Sequence, residues 1–334
     1  MGCIGMNIIL CNPLSYVLYG AYLMKKIISV LLTSVLFLST MVLFSGCSAN
    51  TESKVKNNDK LSIVTTIFPY YDFTRNITGD KADIKLLLSP GSEPHDYEPS
   101  PADVVAIENC DIFIYNGGES DEWVESVLES LQNKNIKIMC MIDYINPLFE
   151  HNPDHSLGDE YDEHIWTSVK NSQSLVGAIA ESAKNVDAQN SDFYSQNAEN
   201  YIEKLKGLDT KFQNIADNGV RKDVVFGDRF PFLYFMTDYN LSYECAFPGC
   251  SSETEPSIAI VTHLIDYVEE QKIPVVFYLD FSNGKTAELI AEDTGAKVLQ
   301  FQSCHNVTKE QFENGEDYIS LMEQNALALK EALS

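Results

Sequence analysis

Short runs of β-branched and aromatic residues alternate with helical segments along most of this chain, and one long helical stretch, 167–218, interrupts them. Strands are expected at 61–67, 84–88, 111–115 and 136–142, and again at 223–226, 275–279 and 297–301. Between them lie helices at 72–77, 102–108 and 123–133, then at 232–237, 257–271, 286–294 and 318–333. Strand–helix alternation of this kind builds parallel βαβ units, so the fold class is α/β. The long stretch breaks near 186–188, and its second part carries Tyr194, Ala198, Tyr201, Leu205, Leu208 and Phe212 at three- and four-residue spacing. A single helix this long is able to bridge two domains. At 334 residues and 45% hydrophobic, the chain has the length and apolar content for two cores.

The first sixty residues stand apart. Met24-Lys25-Lys26 precede an apolar run that ends at Leu43-Phe44-Ser45-Gly46-Cys47. A basic start, an apolar stretch and small residues before cysteine have the layout of a bacterial lipoprotein signal. Met24 is then the expected initiator, 1–46 the leader with its signal peptide at 24–46, and Cys47 the lipidated residue. Residues 47–60 are polar and read as a tether. The formal net charge is −26, and Lys25 and Lys26 are the only charges ahead of Cys47. A field so negative repels nucleic acid and attracts cations. There are eight cysteines, and no CxxC pair suggests a zinc knuckle.

The segment richest in chemistry is Pro90-Gly91-Ser92-Glu93-Pro94-His95-Asp96-Tyr97-Glu98-Pro99-Ser100-Pro101-Ala102-Asp103. It follows an expected strand, where open α/β folds place ligands, and its prolines stiffen the loop that carries His95. A lone loop histidine is more often a surface residue, so the residue by itself decides little. The whole segment, however, resembles the PG-x-x-PH-x-YEP-x-P-x-D signature of the zinc- and manganese-binding lipoproteins of ABC importers, the ZnuA/TroA-like family. Val64-Thr65-Thr66-Ile67-Phe68-Pro69 is similar to that family's opening strand. Tyr115-Asn116-Gly117-Gly118 with Glu122-Trp123 is similar to its first turn. Asp162-Glu163-His164-Ile165-Trp166 is similar to its D-P-H-x-W motif, with Glu163 where proline is usual, and 317–325 to its C-terminal helix.

The resemblance implies two βα domains with parallel sheets joined by one long linker helix, with a metal site in the interdomain cleft. The corresponding boundaries are 61–189, 190–218 and 219–334. His95 and His164 carry over as first-domain ligands. At the third family position the chain has Arg229, and a guanidinium cannot bind zinc. Either neighbouring Asp228 serves, with Arg229 turned away or pairing with it, or the position is lost. His305, in Gln302-Ser303-Cys304-His305-Asn306, lies near the family's acidic fourth position. Three imidazoles favour Zn2+ over the alternative, Mn2+. Cys250 and Cys304 fall on loops facing the same cleft and are expected to pair as a disulfide, the alternative being a thiolate ligand. His151 and His155 lie in an acidic loop that either captures cations or is simply solvated. His263, in mid-helix, reads as structural.

The expected function is therefore that of a monomeric, lipid-anchored receptor on the extracellular face of the cytoplasmic membrane. It would hand metal to the permease of an ABC importer and catalyse nothing. Two other classes compete: a zinc hydrolase, for which no HExxH-type motif is present, and an adhesin whose metal only stabilises the fold.

Overall fold

A computed structural model of the protein describes residues 60–149, 161–248 and 256–334. Four parallel strands form the first sheet: β1 (Leu61–Thr65), β2 (Ala82–Leu86), β3 (Ile112–Tyr115) and β4 (Lys137–Cys140), ordered β2-β1-β3-β4. Side chains alternate between its faces as strand geometry requires. Ile63, Ile112 and Ile114 enter one hydrophobic cluster, whereas Val64 and Phe113 enter another. Both faces are covered, which explains why the inner strands β1 and β3 read as nearly continuous apolar runs. Helix α1 (Phe68–Thr78) packs on the first face; α2 (Pro101–Glu108) and α3 (Trp123–Ser130) supply Ile107, Val124 and Val127 to the second.

The connection between halves is α4 (Val169–Val186) followed, after a 3₁₀ turn at Ala188–Asn190, by α5 (Ser191–Asn218). The 28 residues of α5 span about 42 Å. Its buried stripe is Tyr194, Ala198, Tyr201, Leu205, Leu208, Phe212 and Ala216. Every residue of that stripe belongs to one core cluster that includes the inner faces of both sheets.

The second half repeats the winding of the first. Strands β5 (Asp223–Phe230), β6 (Ser242–Pro248), β7 (Val275–Leu279) and β8 (Lys297–Phe301) are parallel and ordered β6-β5-β7-β8. Helix α6 (Leu233–Tyr239) follows β5, and α7 (Ile258–Gln271) and α8 (Lys285–Thr294) cover the outer face through Leu264, Val268, Ala287 and Ile290. After β8 come the short α9 (Lys309–Glu313) and α10 (Tyr318–Ala332), which packs on α5.

Among the segments that differ from the sequence expectation, three have a local cause. The first helix begins earlier, because Pro69 sits in the first turn, where its missing N–H costs nothing. The strand expected at 136–142 turns aside after Cys140 into a 3₁₀ turn, Met141–Tyr144. The strand expected at 223–226 runs on to Phe230 through a register shift between Phe226 and Arg229.

The halves are stitched at α1. Asp72 is fully buried and accepts hydrogen bonds from Arg75 Nε (2.7 Å), Tyr201 Oη on α5 (2.8 Å) and the Tyr318 amide on α10 (3.2 Å). Arg75 also donates to the Glu316 carbonyl at 2.7 Å. Among the described residues no helix is long and apolar enough to cross a membrane.

Candidate metal centre

Both sheets direct the C-terminal ends of their strands, and the loops that follow, toward one pocket. It is lined by Glu93, His95, His164, Asp228, Arg229, Asp280 and His305, among others. His95 lies in the 3₁₀ turn Pro94–Asp96. Beyond it, Ser100 and Asp103 form a capping box at the start of α2, and Lys85 reaches Asp103 at 2.7 Å, so the far end of the proline-rich loop is tied to β2. His164 is buried and held by Asp162, whose Oδ1 accepts from its backbone N–H (2.7 Å) and from its ring Nδ1 (2.9 Å). With Nδ1 engaged by Asp162, Nε2 is the candidate metal-binding atom of His164.

His305 comes from the other half, and its loop is gripped by the first. Asn306 Nδ2 donates to the carbonyls of Ser89 and Ser92, both at 2.9 Å, and Gly91 N–H donates to Val307 O at 2.8 Å. Trp166 Nε1 donates to Ser303 O at 2.9 Å, and the Trp166 ring lies 4.5 Å from that of His305. Two backbones beside the pocket adopt the left-handed region without being glycine, Phe281 (φ 63°) and Cys304 (φ 59°). Such strain persists only where the surroundings impose it.

The three imidazoles converge. One ring nitrogen from each of His95, His164 and His305 lies within 4.8 Å of the others. Some point therefore lies within about 2.8 Å of all three atoms, against zinc–nitrogen bonds of about 2.0–2.1 Å, so small movements suffice for one ion to meet all three. Burial is the main cause that holds two of the rings, His95 and His305, neutral. It lowers His95 to about 4, helped by the neighbouring His164 and Arg229, and drives His305 well below the usual histidine range, helped by His95 and His164. Neutral imidazoles are what a metal requires.

The other expected site residues fall differently. Asp228 lines the pocket but does not join the histidine cluster. Its Oδ1 accepts from Arg229 N–H (2.8 Å) and its Oδ2 from Leu279 N–H (3.2 Å), so it braces β5 against β7. The Arg229 guanidinium pairs with Glu93 at 3.6 Å rather than with Asp228. Cys304 is buried in the core, and burial pushes its thiol well above the ordinary range, which disfavours a thiolate ligand. Its expected partner Cys250 lies outside the described residues, as do Cys47, His151 and His155. His263 is exposed and meets Glu244 at 3.2 Å, so it serves no core role.

Sequence reasoning missed Asp280, Glu93 and Ser120. Asp280 is a buried carboxylate that accepts from Ser303 N–H (2.5 Å) and Ser303 Oγ (3.0 Å), and burial raises it to about 6. It stands directly after β7, at the ligand-binding end of a parallel strand, and that position was the available signal.

Comparison with known proteins places this geometry in context. Residues 63–332 match the family model described as ZnuA, zinc-uptake complex component A, periplasmic. The chain belongs to the ZnuA family. It is 32% identical over 316 residues to the zinc-binding lipoprotein AdcA of Streptococcus pneumoniae, covering 92% of this chain and 61% of AdcA. It therefore spans about three-fifths of that relative's length. The high-affinity zinc uptake system protein ZnuA of Bacillus subtilis is 30% identical over 301 residues, covering 88% of this chain and 94% of that one. The crystal structure of the Zn(II)-bound ZnuA-like domain of S. pneumoniae AdcA superposes with a TM-score of 0.71, covering 82% of this chain and 99% of that domain. The metal-dependent lipoprotein YcdH of B. subtilis gives 0.72 at 30% identity, covering 82% of this chain and all of that one. Two α/β halves with parallel sheets and a helical connection are thus this chain's fold and its family's.

Proposed function

We propose that this protein is a solute-binding receptor that holds one Zn2+ between its two halves through His95, His164 and His305 and delivers it to the permease of an ABC importer. The observation that carries the reading is the convergence of three imidazoles, two from the first half and one from the second, within 4.8 Å. Nitrogen donors suit zinc better than manganese, which prefers oxygen. The kinship with AdcA and B. subtilis ZnuA, named for zinc binding and zinc uptake, supports the same cargo. A receptor of this type binds and releases its ion without chemistry. Anchoring through Cys47 on the extracellular face of the membrane completes the proposal, and the lipoprotein relatives support it.

Elemental analysis tests the cargo. Protein purified without added metal should contain about one zinc per chain, and excess manganese should fail to displace it. Displacement by manganese at equal concentration would refute the assignment.

A further inference from the structure

Resting on that reading of the site, we infer that Ser120 and Glu163 form a proton-ordered chain that fixes the tautomer of His95 and thereby selects Nε2 as its metal-binding atom. Ser120 Oγ lies 2.9 Å from His95 Nδ1 and 2.5 Å from Glu163 Oε1. Ser120 N–H donates to Glu163 Oε2 at 3.0 Å, so the carboxylate takes both donors of one residue. A hydroxyl has a single proton, and a carboxylate only accepts. The Ser120 proton therefore points at Glu163, and toward His95 the oxygen acts as acceptor. His95 must then carry its proton on Nδ1, leaving Nε2 unprotonated. His164 reaches the same state by a different route, through Asp162.

The surroundings are shaped for this chain. Glu163 is buried beside Gly118, whose φ is +95°, and a Cβ at Gly118 would stand 2.6 Å from Glu163 Oε2. The Glu163 carbonyl accepts from Asn116 Nδ2 at 2.8 Å, which fixes the backbone from which the carboxylate reaches Ser120. Ser120 and Glu163 are thus positioning residues: they act on the ion only through His95. Glu163→Gln breaks the arrangement because an amide offers one acceptor where two donors arrive.

The experiment reads the tautomer directly. In the metal-free protein labelled with ¹⁵N-histidine, the His95 resonance is assigned by its loss in His95→Ala. Wild type and Ser120→Thr should show His95 protonated at Nδ1; Ser120→Ala and Glu163→Gln should show a mixture. Zinc affinity, measured by competition with a chelator, should fall about 10–100-fold in the latter two and stay near wild type in Ser120→Thr. His95 protonated at Nε2 in the wild type, or a tautomer and affinity unmoved by Ser120→Ala, would overturn the inference. If His95→Ala itself kept wild-type zinc affinity, the ligand set would fall, while the tautomer in metal-free protein would still decide whether the chain exists.

Discussion

Replacing His305 with alanine separates a metal ligand from a packing residue. Structural zinc sites bind with about 10–16 kcal/mol, so removing one of three protein donors should cost on the order of 3–5 kcal/mol. That corresponds to a roughly hundredfold to several-thousandfold rise in Kd. The loss should be comparable with those of His95→Ala and His164→Ala, since the three nitrogens all lie within 4.8 Å of one another. The metal-free protein should respond differently. His305 is buried against Trp166, so the truncation opens a cavity, but it also removes a polar ring. These effects oppose each other, and metal-free stability should change by no more than about 2 kcal/mol. Chelator competition measures the first quantity and urea unfolding in EDTA the second. A His305→Ala protein that holds zinc within threefold of wild type, while His95→Ala and His164→Ala do not, would refute a three-histidine site.

Three further outcomes follow from the same geometry. Folding depresses His95 to about 4 from an ordinary histidine value near 6.5, so the unfolded chain binds the extra proton between those limits and stability falls as pH drops through that window. Asp280 and Asp121, raised to about 6 and about 7, tilt the profile the opposite way. The histidine share is therefore read as wild type minus His95→Gln in EDTA, and it should shrink by on the order of 3 kcal/mol from pH 7 to pH 4; a flat difference would contradict it. Gly118→Ala combines a positive φ with a 2.6 Å clash on Glu163, and should lower stability by about 2–4 kcal/mol and weaken zinc binding; denaturant midpoints and zinc titrations near wild type would show that the turn relaxes freely. Arg229→Ala removes a cation from the pocket and an ion pair whose partners are each about one-third exposed, worth at most about 1 kcal/mol. Zinc should bind at least as tightly, and a tenfold loss by chelator competition would mean that the guanidinium supports the site.

Much of the fold was legible because both faces of each sheet are covered, which makes each inner strand a nearly continuous apolar run. The inner strand at 275–279 was readable to the residue for this reason. The edge strand β6 was not, because Ser242, Tyr243 and Glu244 interleave polar groups with apolar ones and the edge position leaves part of the strand toward solvent. The short α9 was missed as well: five residues show no helical period, and only the capping box of Thr308 and Gln311 marks it.

At the site, the resemblance to the family's motifs singled out His95 and His164 and pointed to His305 near the acidic position, but it did not decide Asp228. A carboxylate beside three imidazoles reads as a fourth donor until the backbone is known. The register shift in β5 presents its oxygens to two amide protons instead. Glu163 shows the converse. By sequence it was only a departure from the family motif; in the fold, the room left by Gly118 turns that departure into a buried carboxylate facing Ser120 and, through it, His95. A chain that has arginine at a family ligand position thus has a third imidazole from the opposite half and a carboxylate ordering one of the first two. Those two features couple. In the proposed site His305 would supply the donor that Arg229 cannot, and the inferred His95 tautomer would turn a lone pair rather than a proton toward the same ion.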